Sequence, residues 1–232
     1  EQYLFCKTKK RQRGKQQHQK QDSQGELFQV REGSASLLIN LSDYLDSGLF
    51  LDHRLTRQLI SNYAYNKSVL NLFCYTGSSG VQAGLGGAKL IVNVDMSTTY
   101  LKWAEENFAI NQLADDSQYQ FLRADVVELL NNPVRYDINQ TFDLILLDPP
   151  SFSNSSKMIE TLDILRDQED LIGKSMTLLE KDGLLIFFTS KKSFKISPII
   201  SEKYNVKEIT RETISEDFKR RPGIHKCWEI RH

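Results

Sequence analysis

The sequence contains few cysteines, no long apolar run and no excess of charge of either sign. Its three cysteines are scattered at Cys6, Cys74 and Cys227, so they form neither a disulfide framework nor a zinc-binding pattern. No apolar run approaches the roughly 20 residues that a membrane-spanning helix needs, and the N-terminal residues lack an apolar signal core. We therefore expect a cytoplasmic protein with no membrane partner and no metal. Because the chain begins with Glu1 rather than methionine, we also expect it to be part of a longer protein.

The net charge of zero is a cancellation between regions of opposite sign. Residues 1–20 hold seven lysines and arginines against one glutamate, and residues 218–232 hold five against one. Clustered basic side chains form the electrostatic pattern that a polyanion such as RNA binds. A solvated arm without a partner is the alternative interpretation, and charge alone does not decide between the two.

The second part of the chain has the pattern of an α/β domain. From Ser68 onward, apolar runs of strand length alternate with longer segments of helical periodicity, such as residues 97–111. Uninterrupted apolar strands separated by helices predict a doubly wound parallel sheet that is covered on both faces. The predicted strands are residues 69–74, 90–94, 119–122, 142–147 and 184–188, with 199–208 and 227–230 as closing strands.

The first part of the chain predicts a small β/α appendage. Residues 27–31 and 35–41 have the composition of two short strands around a turn at Gly33. Between positions 43 and 63 a helical pattern puts Leu51, Arg54, Leu55 and Leu59 on one face. We therefore predict a basic arm with a short β appendage over residues 1–47 and an α/β domain over residues 48–232.

Glycines and an acidic residue follow the first two strands of the predicted sheet. Gly77 and Gly80 lie in the first turn, where they let the backbone approach a ligand, and the N–H groups of the next helix would point at that ligand. Their spacing is not that of a dinucleotide-binding fingerprint, which disfavours a nicotinamide oxidoreductase. Asp95 ends the second strand about 20 residues after the turn, where an acid of this topology accepts hydrogen bonds from ribose hydroxyls. Capping of the next helix by Asp95 or Ser97 is the alternative.

The next two strand ends carry an acid each. Asp125 is followed by Glu128 in the spacing of a capping box, and adenine recognition is the alternative role for Asp125. The fourth strand runs into Asp148-Pro149-Pro150, where two prolines fix φ and remove two backbone donors. The sequence predicts a rigid turn that holds Phe152 beside the cofactor pocket, where the ring would stack on a planar base.

With these strand ends in order, the sequence resembles the class I S-adenosylmethionine-dependent methyltransferases over roughly residues 48–232. The match follows Thr76-Gly77, then Asp95, Asp125 and the run from Asp148 to Phe152, in the order of that family's motifs. More closely, residues 10–20, 44–54, 71–77 and 224–228 resemble the C-terminal RlmK half of the bifunctional ribosomal RNA methyltransferases RlmKL.

This resemblance implies a Rossmann-like domain that uses S-adenosyl-L-methionine and releases S-adenosyl-L-homocysteine. It implies methylation of guanine N7 in large-subunit (23S) ribosomal RNA, and a covalently linked guanine-N2 methyltransferase half ahead of Glu1 in the full protein. By position, it implies a cofactor site made of Arg54, Phe73, Tyr75, Thr76, Gly77, Asp95, Met96, Ser97, Asp125 and Asp148. The catalytic positions are then Asp148, Pro149, Pro150 and Phe152. The RNA-binding positions are Lys9, Lys10, Arg11, Arg13, Lys15, Arg220 and Arg221.

The chemistry of the residues is consistent with methylation of N7. Methylation of pyrimidine carbon-5 needs a cysteine nucleophile, but the positions where related enzymes carry it hold Ser151 and residues 189–192 (TSKK). Guanine N7 already has a lone pair, so its methylation requires mainly that the base and the methyl donor are held close together and correctly oriented.

Two alternatives remain open. In the first, the chain is a methyltransferase of the same fold that acts on a non-RNA substrate. In the second, it is an RNA-binding module that needs a partner domain for activity. His53 and His225 are interpreted as structural residues.

Overall fold

The computed structural model describes residues 26–43, 46–115, 117–150, 152–153, 162–221 and 223–232. Within this described part, no helix is both long enough and apolar enough to cross a membrane. The arm residues predicted to bind RNA, Lys9, Lys10, Arg11, Arg13 and Lys15, lie outside it.

In the described residues, eleven strands form one sheet of seven strands and two sheets of two strands. The sheet runs in the order β5-β4-β3-β6-β9-β11-β10, and its strands are parallel except β11, which runs antiparallel to both neighbours. The strands are β1 (Phe28–Glu32), β2 (Ala35–Ile39), β3 (Ser68–Leu72), β4 (Leu90–Asp95), β5 (Tyr119–Arg123), β6 (Phe142–Leu147), β7 (Phe152–Ser153), β8 (Leu162–Asp163), β9 (Leu179–Thr189), β10 (Asn205–Glu208) and β11 (Lys226–Arg231). This order confirms the predicted doubly wound α/β fold.

The topology brings the predicted site residues to one edge of the sheet. From β3 the chain moves outward to β4 and β5, and it then returns to the other side of β3 to form β6. A topological switch point therefore lies between β3 and β6, where open α/β sheets bind their ligands. The carboxyl ends of β3 to β6 all open on that edge.

Helices cover both faces of the sheet, as the apolar strands predicted. Val69 of β3 lies in the apolar cluster shared with α1, α2 and α3, whereas Leu70 and Leu72 lie in the cluster shared with α4 and α5. The helices are α1 (Arg54–Tyr63), α2 (Ser78–Leu85), α3 (Thr98–Ile110), α4 (Val126–Asn131), α5 (Ile164–Thr177), α6 (Pro198–Lys203) and α7 (Thr210–Thr213).

The β1–β2 hairpin turns at Gly33, as predicted, and packs against α3. The Asn107 side chain accepts a hydrogen bond from the Leu38 N–H at 2.7 Å, and Asn111 accepts one from the Ser36 N–H at 2.8 Å. Side chains of α3 thereby satisfy backbone groups on the free edge of β2, which would otherwise be open to pairing with another strand. The division of the chain at residue 47 remains a prediction.

The face predicted for the first helix is right at Leu59, which packs against the apolar core, and wrong at Leu51. Leu51 is exposed in a short 3-10 turn (Leu51–His53), and the buried residues of α1 are Thr56, Arg57 and Ile60. Periodicity failed here because the buried face carries a charged residue. The Arg57 guanidinium donates to both carboxylate oxygens of Glu32, at 2.7 and 2.6 Å, and its burial is offset by this pairing.

The closing strand predicted over residues 199–208 is wrong in its first half. Pro198 begins helix α6, and the Ser197 hydroxyl caps that helix by accepting a hydrogen bond from the Ile199 N–H at 3.2 Å. A Ser-Pro pair is a strong helix-start signal, since proline suits the first helical position. The strand itself is confined to β10.

Candidate active site

The turn between β3 and α2 is built from unusual backbone conformations. Phe73 and Tyr75 adopt φ values of 57° and 53°, and Gly77 has φ of 72°. Residues with side chains rarely occupy this left-handed region, and each such residue costs on the order of 1–3 kcal/mol. The turn is closed by a hydrogen bond from the Gly77 N–H to the Cys74 carbonyl at 2.9 Å. Strain of this kind is typical of binding loops that the surrounding fold holds in place.

Gly77 and Gly80 are required by close packing as well as by conformation. A Cβ atom on Gly77 would lie 2.7 Å from the Ala104 Cβ, and one on Gly80 would lie 2.4 Å from the Asn93 Oδ1. Gly77 also gives α2 no side-chain cap, so the first N–H groups of the helix stay available to a polar ligand. Close packing thus requires glycine at both positions, and their predicted contact with a ligand remains a prediction.

Thr76 faces the interior rather than the mouth of the site. Its side chain is fully buried, and its hydroxyl donates to the Gly48 carbonyl at 2.7 Å. The Thr76 carbonyl in turn accepts a hydrogen bond from the Asn107 side chain at 2.8 Å. In this structure Thr76 fixes the position of the turn, and its predicted contact with the cofactor remains a prediction.

Asp95 is oriented by the backbone on both of its carboxylate oxygens. Oδ2 accepts from the Tyr75 N–H at 3.0 Å, and Oδ1 accepts from the Ser97 N–H at 2.8 Å. A carboxylate oxygen can accept more than one hydrogen bond, so these two backbone contacts orient the group without excluding a hydroxyl donor. The Ser97 hydroxyl caps α3 by accepting from the Tyr100 N–H at 3.4 Å. Ser97 is thus the capping residue, and Asp95 is a pre-oriented acceptor beside the β3–α2 turn.

Asp125 caps α4, and its carboxylate accepts a hydrogen bond from the Val127 N–H at 2.9 Å. The second hydrogen bond of the expected capping box would join the Asp125 N–H to the Glu128 side chain. Glu128 forms an ion pair with Arg135 in its place. Asp125 also lines a cavity of about 270 Å³ between α4 and α5, whose walls include Arg166 and Lys174. Such charged walls suit a purine poorly, so we do not assign this cavity to the cofactor.

Asp148 lies at the end of β6, before a buried Pro149 and an exposed Pro150. About 35% of its side chain is exposed, but the carboxyl group lies in a recess of the protein. Burial and the nearby negative charge of Asp52 raise the pKa of Asp148 to about 7, against the opposing effect of Arg57. The backbone of Phe152 forms β7, which pairs with β8, while its side chain lies outside the described part of the chain. The stacking role of Phe152 remains a prediction.

A family model described as S-adenosylmethionine-dependent methyltransferase matches residues 11–222. The chain belongs to this family. The described residues fit the cofactor, since Asp95 is a carboxylate pre-oriented for hydroxyl donors and helix α2, which follows the turn, has no side-chain cap at its N-terminus. S-adenosylmethionine is therefore the cofactor of this methyltransferase.

Two groups of similar proteins extend this result. The chain is 46% identical to "Ribosomal RNA large subunit methyltransferase K/L" of Marinobacter nauticus over 99% of its length, but it spans only 31% of that relative. It is also 46% identical to "Ribosomal RNA large subunit methyltransferase K" of Neisseria meningitidis, of which it spans 64%. Among solved structures, SMU.776 complexed with SAH has a TM-score of 0.75 and 26% identity over 91% of this chain and 57% of that one.

Sequence reasoning missed the surroundings of Asp148 in this methyltransferase. His53 Nδ1 lies 3.7 Å from Asp148 Oδ2, and His53 Nε2 lies 3.5 Å from Asp52 Oδ2. His225 Nδ1 lies 3.1 Å from the same Asp52 oxygen. The interpretation of His53 and His225 as structural residues therefore overlooked that His53 adjoins Asp148 and that His225 is linked to it through Asp52. The available signal was that Asp52, His53 and His225 all lie within the stretches that carry the RlmK resemblance.

Asp52, His53 and His225 are close enough to raise the question of a metal. Their ligand atoms lie within 4.8 Å of one another. Both nitrogens of His225 already have partners, however, namely Asp52 at 3.1 Å and the Thr213 hydroxyl at 2.9 Å. We interpret the group as a network in which His225 is hydrogen-bonded and His53 lies within ion-pair distance of Asp52, and the sequence expectation of no metal remains an expectation.

Arg54 and the basic C-terminal segment meet beside this network. The Arg54 guanidinium donates to Asp217 at 2.8 Å, with both side chains partly exposed, so Arg54 forms the ion pair that is the common role for such a residue. Its predicted contact with the cofactor remains a prediction. Arg220 and Arg221 lie three and four positions after Asp217 and are exposed.

Proposed function

We propose that this methyltransferase transfers a methyl group to N7 of guanine in large-subunit ribosomal RNA. The names of the similar proteins support the substrate class. The observation that carries the proposal is the partly exposed Asp148 carboxyl group, which contacts His53, while the neighbouring Arg54 pairs with Asp217 just ahead of the basic segment. When bound, S-adenosylmethionine supplies a methyl group attached to a positively charged sulfur. A lone pair of the acceptor forms the new bond to this methyl group, and the positive charge passes from the sulfur to the acceptor.

The state of the cysteines supports a nitrogen rather than a carbon acceptor. Cys74 and Cys227, the two cysteines that the structure describes, are buried, and burial raises the pKa of each thiol well above its usual range. Neither forms the thiolate that carbon-5 methylation needs at neutral pH. Asp148 instead offers a carboxyl group that can accept from the N–H groups of a guanine and stabilise the charge that the base acquires.

The first test of this proposal is the identity of the methylated atom. Incubating the chain with unmodified ribosomal RNA and labelled S-adenosylmethionine should yield 7-methylguanosine when the digested RNA is analysed by mass spectrometry. N2-methylguanosine or 5-methylcytidine as the product would overturn the N7 assignment. If the protein binds S-adenosylhomocysteine but leaves the RNA unmethylated, the module that depends on a partner domain becomes the better explanation.

The segment around Arg220 and Arg221 supports RNA as the substrate. It is fixed at two points to the turn that flanks Asp148: Asp217 pairs with Arg54 at 2.8 Å, and His225 pairs with Asp52 at 3.1 Å. Exposed guanidinium groups held beside a recess are suited to phosphates on either side of a base that enters it. We further propose that the arm residues Lys9, Lys10, Arg11, Arg13 and Lys15 contact the same RNA.

Replacing Arg220 and Arg221 together with alanine should weaken RNA binding and reduce its dependence on salt. Each lost phosphate contact lowers the slope of log affinity against log salt concentration by roughly 0.7–0.9. Fluorescence anisotropy over a salt series measures this slope. The matched control is the pair Lys181→Ala and Lys203→Ala, which removes two exposed lysines near the opposite edge of the sheet. If both double variants lose the same RNA affinity, the loss reflects the overall charge of the protein rather than a binding site at Arg220 and Arg221.

The length of the similar proteins bears on the partner. Because the chain spans 31% of the K/L relative, we propose that the full protein also carries a guanine-N2 methyltransferase half ahead of residue 1. The two activities would then act on the same class of RNA.

A further inference from the structure

A continuous series of contacts leads from the surface helix α7 to the Asp-Pro-Pro turn. The Thr213 hydroxyl lies 2.9 Å from His225 Nε2, and His225 Nδ1 lies 3.1 Å from Asp52 Oδ2. That oxygen is 3.5 Å from His53 Nε2, and the opposite ring nitrogen of His53 is 3.7 Å from Asp148 Oδ2. Four separate segments of the chain contribute to the series. We name these five residues the Asp148 relay.

The relay is buried enough that its polar groups depend on one another. The side chain of His225 is 0% exposed, that of His53 is 12% exposed and that of Asp52 is 15% exposed. Polar groups taken out of water to this extent lose stability unless they find a hydrogen-bonding or charged partner. The aromatic rings of Phe50 and Phe188 contact His53 at 5.8 and 5.7 Å between centroids and fix the plane of its imidazole.

The charges within the relay follow from these surroundings. Burial would raise the pKa of Asp52, but the hydrogen bond from His225 and the two neighbouring imidazoles lower it overall. Burial lowers the pKa of His53 to about 4, although Asp52 opposes this shift. At neutral pH Asp52 is therefore a carboxylate and His53 is a neutral ring with a single N–H.

A neutral His53 can donate to only one of its two carboxyl neighbours. If the His53 proton is on Nε2, that N–H faces Asp52, and the lone pair on Nδ1 faces Asp148 and favours its protonated acid. If the proton is on Nδ1, that N–H faces Asp148 instead and favours its carboxylate. The tautomer of His53 and the charge of Asp148 are thus coupled through 3.5 and 3.7 Å contacts.

We propose that Asp52 and His53 are positioning residues for methyl transfer, which hold the Asp148 carboxyl group toward the acceptor base and set its charge, with His225 and Thr213 as their anchor. The inference rests on the proposed methyl transfer, because it makes Asp148 the group that contacts the base. A carboxylate there stabilises the positive charge that the base gains, whereas the neutral acid does not.

The groups that face Asp148 determine the expected pH dependence. They are His53 and Asp52 from the 3-10 turn, Arg57 from α1 and the neutral thiol of Cys227 from β11. Because the pKa of Asp148 is raised to about 7, its carboxylate is present above that pH and is lost as the pH falls through it. Methyl transfer should therefore decline on the acid side of neutrality.

The test compares Asp52→Asn with the unchanged protein. Asparagine keeps an oxygen that accepts from His225 but removes the negative charge that raises the pKa of Asp148. The acid limb of kcat should move to lower pH by roughly one unit, while Asp182→Asn, which removes an exposed carboxylate on β9, should leave it in place. His53→Phe, which keeps a ring of similar shape, should lower kcat at least about tenfold while KM and S-adenosylhomocysteine affinity change little.

A measurement without RNA separates this inference from the proposed function. Carbon-13 NMR titration of the Asp148 carboxyl group should give an apparent pKa near 7 in the unchanged protein and a lower one in Asp52→Asn. If the two titrations coincide, the relay does not set the charge of Asp148 and the inference fails, whichever RNA atom is methylated. A product other than 7-methylguanosine together with the shifted titration would overturn the N7 assignment alone.

Discussion

Replacing Asp95 with alanine should lower the affinity for S-adenosylhomocysteine by roughly 100-fold or more, because two hydrogen bonds to a charged acceptor contribute about 1.5–3 kcal/mol each. The carboxylate is already oriented by the N–H groups of Tyr75 and Ser97 at 3.0 and 2.8 Å. A ligand that donates two hydroxyl groups therefore meets an acceptor that needs little further ordering. Isothermal titration calorimetry measures the loss.

The same substitution also frees two backbone donors, so its effect on the turn needs a separate control. Asp95→Asn keeps one acceptor oxygen for the Tyr75–Ser97 backbone and should retain a thermal midpoint closer to that of the unchanged protein. Asp182→Ala removes an exposed acid from β9 and should leave both affinity and midpoint unchanged. If Asp95→Ala unfolds at the usual temperature and still binds S-adenosylhomocysteine normally, Asp95 is not the ribose acceptor.

Replacing Arg57 with alanine should cost about 3–5 kcal/mol of the free energy of unfolding, because it leaves a buried charge without its partner. The side chain of Arg57 is 2% exposed and that of Glu32 is 10% exposed. The guanidinium also donates to the Phe50 carbonyl at 2.9 Å, so the substitution loosens the start of the turn that carries Asp52 and His53. Denaturant unfolding with an unchanged m-value measures the loss.

Two further variants identify the origin of this loss. Arg31→Ala removes an exposed arginine from the same hairpin and should change stability by no more than about 0.5 kcal/mol. Adding Glu32→Gln to Arg57→Ala should recover part of the loss, since it removes the unpaired charge. If the double variant loses as much free energy of unfolding as the two single variants together, the pairing of Arg57 with Glu32 is not the cause of the loss.

The strand ends could be predicted from sequence because each depends on local signals. The apolar runs that precede Asp95 and Asp148 give the strands, and the glycines after β3 give the turn, so the order of these sites along the sheet edge follows from topology rules. Met96, by contrast, follows Asp95 in sequence, but its structural role is to present a carbonyl oxygen to Arg123 at 3.4 Å. Its predicted contact with the cofactor stays a prediction.

The Asp148 relay and the buried arginine could not be predicted from sequence in the same way. Asp52 and His225 are 173 positions apart, and no periodicity relates them. Arg57 interrupts the apolar pattern of α1, and its partner Glu32 lies in a hairpin 25 positions earlier. Such pairs are set by how elements dock, and a single sequence has no local signal for docking.

The place of β11 in the sheet has a consequence for how the site is assembled. β11 follows every other strand in sequence, yet it lies between β9 and β10 rather than at an edge. The order along the chain and the order in space therefore differ, and β10, which pairs only with β11 among the described strands, joins the sheet through it. His225 directly precedes β11, so its contact with Asp52 closes a loop of 173 positions, a long closure that is slow to form. The surroundings of Asp148 are thus complete only when the C-terminal strand has its place in the sheet, so a change that weakens β11 should also disturb the site.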